Sequence, residues 1–428
     1  MSEVIFFQGG RVASEMAAPE EADVIVEGGA ILEVAPGLAI PEGCRVVDCR
    51  GKILLPALFD LNVHVREPGR EDEETIRSGT EAAINGGVTG VVVMPNTHPA
   101  IDSAGMVRSI RNIASEEARI PVYPAGCITK NREGRELAEI GEMAAMGAVM
   151  ITDDNAALED ARVLRRALEY AAGFGLIVTE HCDTPALTWR GAMNEGRVSY
   201  KLGLPGIPGC AEEICIARDC RMAKYTGARL HLQHISTADG VETIRRYKRE
   251  GVPVTCEVTP HHLIFSEEDI GDFDTAYKMY PPLRTKADNA VLLEALEDGT
   301  IDVLVSDHAP HTDFEKRCSF DEAPFGITGL ETALIALYHH FIDLGLLGWD
   351  TLVRAYSAAP RRILGLHETA IEPGMLANLV VFDPEGETQF TTEYFRSKSR
   401  NTPFLDKTLK GRIDLVMRGK EVLLDRSL

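Results

Sequence analysis

ALFDLNVHV (57–65) and DVLVSDHAP (302–310) follow one plan: an apolar, β-type run that ends on imidazoles or carboxylates. Six further segments of the same kind lie between them: VTGVVVMPN (88–96), PVYPAGCIT (121–129), AVMITDD (148–154), LIVTEHC (176–182), ARLHLQHIS (228–236) and PVTCEVTPH (253–261). Longer amphipathic text separates them, for example EETIRSGTEAAIN (73–85) and DARVLRRALEYAAGF (160–174). Short β runs alternating with helical text mark parallel βα units. Eight such units predict a closed (β/α)8 TIM barrel over residues 57–366.

Outside the barrel the texture changes. VIFFQGGRV, DVIVEGGAILEV and CRVVDCRGKILLP near the start, and ANLVVFDP and RIDLVMRGKEVLL near the end, are strand-like runs punctuated by turn residues. The expectation is a small, discontinuous β-sandwich-like domain built from 1–56 and 367–428.

Composition narrows the function. A chain of 428 residues with net charge −22 and acids scattered through it repels polyanions, which argues against nucleic acid as a partner. No stretch has the roughly 18 consecutive apolar residues of a membrane span, and the start lacks a basic and apolar leader, so a cytoplasmic location is expected. The nine cysteines show no CxxC pairs and read as packed, reduced thiols.

The polar residues carry the chemical signal. His64, Asp154, His181, His234 and Asp307 fall at or just past the C-terminal ends of five different strands, the face on which barrel active sites are built. Imidazoles and carboxylates suit Zn²⁺, as one ion or two. A divalent ion there activates water and polarises a carbonyl, which permits amide hydrolysis, and Asp307 is placed to move the proton. His261 and His262 read as packing residues, or as supports behind the site, rather than as ligands. His98, His231, His339, His340 and His367 are assigned structural roles.

PALFDLNVHVREPG, VVMPNTHPAIDS, ITDDNA, TEHCD, LQHIST, EVTPHHL, PPLRT, SDHAPH, PFGITGLET and SKSRNTPFL together resemble class I dihydroorotases of the amidohydrolase superfamily along the whole chain. HxH-type elements and SDHAPH occur more widely; HVREPG, MPNT, PPLR and PFGITGLET in this order are more specific. The resemblance implies reversible interconversion of N-carbamoyl-L-aspartate and L-dihydroorotate in pyrimidine biosynthesis. It implies a first metal held by position 62, His64, Asp154 and Asp307, and a second held by Asp154, His181 and His234. Asp154 is preferred to Asp153 as the bridge on family spacing. Arg66, Asn96 and His311 match positions that hold the substrate carboxylate, and Phe325 and Gly326 match positions that offer backbone groups to the ring. A homodimer, and a link to aspartate carbamoyltransferase, are also family precedents.

Two positions depart from the pattern. The family's Asp-x-His-x-His reads Asp60-Leu61-Asn62-Val63-His64 here, and the family's Asn before PPLR is Tyr280. An amide is a poorer zinc ligand than imidazole, so the first metal position is expected to be weaker than the second. Such erosion is compatible with an active dihydroorotase, with an impaired homologue serving as a binding scaffold, and with an amidohydrolase for another cyclic amide.

Overall fold

The computed structural model describes residues 4–426. All eight expected barrel strands form, in chain order: β1 (Leu58–Val63), β2 (Val88–Val93), β3 (Val122–Gly126), β4 (Met150–Ile151), β5 (Ile177–His181), β6 (Leu230–Gln233), β7 (Val254–Val258) and β8 (Val303–Leu304). They pair in parallel from β1 to β8. A parallel bridge between Val63 and His308, with His64 N donating to His308 O at 2.9 Å, closes the ring. The TIM barrel read from the sequence is therefore present.

Strands β1 and β2 are buried along their whole length, as parallel strands covered by helices must be. Phe59, Leu61, Val92, Met94, Ala125, Met150, Ile177, Val303 and Val305 pack together as one apolar cluster. The helix Ala161–Ala172 begins at Asp160, whose carboxylate accepts from Arg162 N, and buries Leu164, Ala167, Leu168 and Ala171. That spacing repeats at helical period, so one face meets the barrel while the charged face meets solvent. The ladders are shorter than the sequence runs: β4 and β8 hold only two residues each, since the chain turns off the ladder before its acids.

A second sheet of eight strands takes five from the chain's start and three from its end. Asn378–Gln389 pairs antiparallel with Ile53–Pro56, next to the entry into the barrel, and Ala57 N donates to Asn378 O at 3.0 Å. Ile5, Phe7, Val24, Leu54, Leu379 and Leu415 belong to this sheet's own apolar cluster. Residues 1–3 and 427–428, at the extremes of the expected terminal domain, lie outside the described residues. All nine cysteines are free thiols.

Among the described residues no helix is long and apolar enough to cross a membrane. The stretch from His311 to Thr328 is rich in charged residues and is nevertheless tied to the rest of the fold. It carries a short helix, Asp313–Lys316, and the buried Lys316 amine donates to the carbonyls of Thr275, Lys278 and Pro324.

Candidate active site

The five strand ends converge as expected. His64 Nδ1 lies 2.9 Å from Asn96 Oδ1, and its Nε2 lies 3.2 Å from Asp307 Oδ1 and 3.6 Å from Asp154 Oδ2. With the amide oxygen accepting, Nδ1 carries the proton and Nε2 turns a lone pair towards two carboxylates. That is repulsive unless a proton or a cation stands between them. His181 Nδ1 and His234 Nε2 face each other at 3.0 Å, and ligand atoms of Asp154, His181 and His234 all lie within 4.8 Å of one another.

Burial, reinforced by His234, pushes the His181 pKa down to about 3, which keeps its imidazole neutral as ligation requires. Burial alone would raise Asp154; the charged groups facing it, His64 foremost, outweigh it and hold the carboxyl below its usual range. This donor set fits a divalent cation. Arg66 (φ 55°), His234 (φ 32°) and Asp307 (φ 44°) have left-handed backbone conformations, rare for residues other than glycine. Such strain collects where side chains must be aimed rather than packed.

The choice between the paired aspartates is decided by what each touches. Asp154 lines the cavity and accepts from Asn96 Nδ2 at 3.3 Å. Asp153 turns away and accepts from Ile128 N and Thr129 N at 2.9 and 3.0 Å, and from the Thr129 hydroxyl. Arg132 fixes this bend from behind by donating to the backbone carbonyls of both aspartates.

Asn62 is fully buried and is not among the residues lining the cavity. Its Nδ2 donates to Glu257 Oε1 at 2.9 Å, while Oδ1 has no hydrogen-bond partner among the described residues. Glu257 Oε2 in turn lies 2.9 Å from His231 Nε2. Sequence reasoning missed Glu257. The only available signal was a carboxylate inside the apolar run PVTCEVTPH.

The residues expected to bind substrate are arranged less uniformly. Arg66 lines the cavity, with Nε 3.3 Å from both Pro310 O and Glu73 Oε2. Asn96 also lines it, but its amide is engaged by His64 and Asp154. His311 is not in the wall: Nδ1 meets Glu73 Oε1 at 2.8 Å and Nε2 meets Phe325 O at 2.9 Å. Two acceptors favour the imidazolium; burial opposes it and pushes the pKa down.

Phe325 contributes to the wall, yet its carbonyl is taken by His311. Gly326 N donates to Lys278 O and Gly326 O accepts from Asn401 Nδ2, both at 2.9 Å. The Phe325 carbonyl and both Gly326 backbone groups are thus engaged within the protein's own scaffold. Tyr280 stacks on His181 with centroids 5.0 Å apart and planes 18° apart, and its ring lies 5.1 Å from that of Phe325. The remaining free volume is about 30 Å³. That is room for about one or two waters. His262, read as a packing residue, hydrogen-bonds Pro281 O at 2.9 Å and so steadies the segment bearing Tyr280.

A closed barrel with imidazoles and carboxylates gathered at the C-terminal ends of its strands defines a hydrolase of the cyclic amidohydrolase type. The fold agrees with the L-hydantoinase (dihydropyrimidinase) of Arthrobacter aurescens, at TM-score 0.89 and 24% identity over 100% of this chain and 97% of that one. A D-hydantoinase from a Thermus species matches at TM-score 0.84 and 24% identity over 99% and 96% of the two chains.

The family model for dihydro-orotase-like proteins matches residues 51–240. A dihydroorotase of Desulforapulum autotrophicum is 44% identical over 427 residues, covering 99% of this chain and 100% of its own. One of Streptomyces coelicolor is 43% identical over 414 residues, covering 96% of each. The chain belongs to the dihydroorotase family.

Proposed function

We propose that this protein is a dihydroorotase, interconverting N-carbamoyl-L-aspartate and L-dihydroorotate. The observation that carries the reading is the meeting of His64, Asp154, His181, His234 and Asp307 from five strands in one buried space. Asp154, His181 and His234 would hold a divalent ion, Zn²⁺ by the chemistry of the donors, with His64, Asp307 and the shared Asp154 forming the weaker position beside Asn62. When bound, such an ion supplies Lewis-acid activation of water and of the scissile carbonyl.

The chain's own residues do the rest. Asp307 accepts the proton of the attacking water and returns it to the departing ring nitrogen, a general base and then a general acid. The Arg66 guanidinium offers paired donors to the substrate carboxylate once it shifts from Pro310 O. Asn96 holds His64 and Asp154 in register. We assign the barrel to 57–366 and the terminal domain to 1–56 with 367–428. The family resemblance further supports a homodimer in the cytoplasm.

A second reading is favoured by Tyr280, whose ring occupies the space beside His181 and leaves about 30 Å³. On that reading the chain is an impaired homologue that supports a partner such as aspartate carbamoyltransferase. Zinc per chain measured beside dihydroorotate hydrolysis separates the two. Stoichiometric metal with turnover supports the enzyme; metal without turnover, together with co-purification of the transferase, supports the scaffold.

A further inference from the structure

The opposite end of the barrel holds a much larger space. A cleft of about 440 Å³ lies between the starts of β1, β2 and β3 and the segment 366–378 that leads into the terminal sheet. This is the size of a small-molecule site, and it lies at the barrel end remote from His64 and Asp307.

Its walls carry positive charge without matching carboxylates. Arg361 is 5% exposed, and its Nη1 donates to Ser357 O at 2.7 Å and Ser357 Oγ at 2.9 Å. Among the described residues neither Arg361 nor Arg418, which shares the wall, has an ion-pair partner. Glu368, an acid in the same wall, is paired with Arg362 at 3.3 Å. Burial pulls the Arg361 guanidinium down to about 10, and Arg418 adds to the effect, so the group stays charged at neutral pH. Buried charge is tolerated when a counter-charge reaches it.

Phe59 and Tyr123 add flat apolar surface, with ring centroids 5.6 Å apart and the Arg361 guanidinium 5.1 Å above the Phe59 ring.

We propose that this cleft is a second ligand site, for a small metabolite that joins an oxyanion, phosphate or carboxylate, to a flat ring. The oxyanion pairs with Arg361 and Arg418. The ring lies against Tyr123. The site is independent of the reaction assigned to the other end of the barrel.

The test is calorimetric titration of the full chain with a nucleoside 5′-monophosphate, benzoate and inorganic phosphate, in the parent and in Arg418→Gln, Arg361→Gln and Arg66→Gln. Arg418 is the main probe because it is only partly buried; thermal melts establish that each variant is folded. The expected result is one ring-bearing anion per chain, bound more tightly than bare phosphate, weakened about tenfold or more by Arg418→Gln and unchanged by Arg66→Gln. Whether the monophosphate or benzoate binds more tightly identifies the oxyanion. Absence of binding tighter than about 1 mM by either ring-bearing anion overturns the proposal. So does binding that Arg66→Gln abolishes and Arg418→Gln leaves intact, since the anion then sits at the other end of the barrel.

Discussion

The two halves of the candidate metal centre are built to different standards. On the β5/β6 side, His181 and His234 stand 3.0 Å apart with Asp154 within reach, and burial keeps His181 neutral. On the β1/β8 side, His64 and Asp307 face each other at 3.2 Å, and position 62 contributes an amide whose nitrogen is committed to Glu257. The first half offers three ligands from three strands. The second offers two, plus an orphaned amide oxygen. A site can thus retain its framework while one candidate ligand is replaced, because each of these side chains is held by its own strand end.

The largest effect should come from removing the residue the halves share. Asp154→Ala is expected to bring zinc per chain close to zero and to lower dihydroorotate hydrolysis by about 10³-fold, the scale of losing a strong transition-state interaction. Metal retained at the parent level would mean that the two halves do not share Asp154.

Next come the two departures themselves. Asn62→His should raise zinc per chain by equipping the β1/β8 half, while Tyr280→Asn should widen the cavity without changing metal content. If both matter, the double variant exceeds each single variant in kcat/KM by about tenfold or more. An inactive double variant with full metal places the defect elsewhere.

Glu257 provides a finer distinction. Its carboxylate orients Asn62 and His231, so Glu257→Gln should weaken metal binding by about tenfold at the β1/β8 position, the range expected for a group behind a ligand. The β5/β6 position should be affected less, since the carboxylate meets that half only at His234 N, 3.4 Å away. Equal weakening of both would show that Glu257 acts on the barrel as a whole. Competition titration of the metal-free protein with a chromophoric chelator reads both positions.

The smallest effect on the centre concerns pH. Glu331 is buried, accepts from Asn85 Nδ2, Arg396 N and Ser397 N, and is pushed by burial from 4.5 to about 7. A folded-state pKa above the unfolded value means that the native state binds the extra proton between those limits. The stability it contributes is therefore full below about 4.5 and lost as pH rises through about 7, amounting to about 3 kcal/mol. Urea unfolding of Glu331→Gln from pH 4.5 to 8 should show a flatter profile than the parent, with metal binding unchanged. Parallel profiles would remove Glu331 as the cause.

By itself the sequence determined the barrel, the terminal sheet's two sources and the five converging residues. Those depend on local periodicity and on which residue ends each strand, and both are written along the chain. It also exposed Asn62 and Tyr280 as departures, because a family motif fixes what each position should hold. Tertiary structure alone decided the rest. Asp154 and Asp153 are neighbours in sequence, and only the bend braced by Arg132 turns one into the cavity and the other onto Ile128 and Thr129. Glu257 acquired meaning only when β7 came beside Asn62 and His231. The occupied hydrogen bonds of His311 and Gly326, the stacking of Tyr280 on His181, and the unpaired Arg361 at the far end of the barrel involve partners distant in sequence. No local pattern encodes them, since hydrogen-bond partners and free volume are properties of packed neighbours.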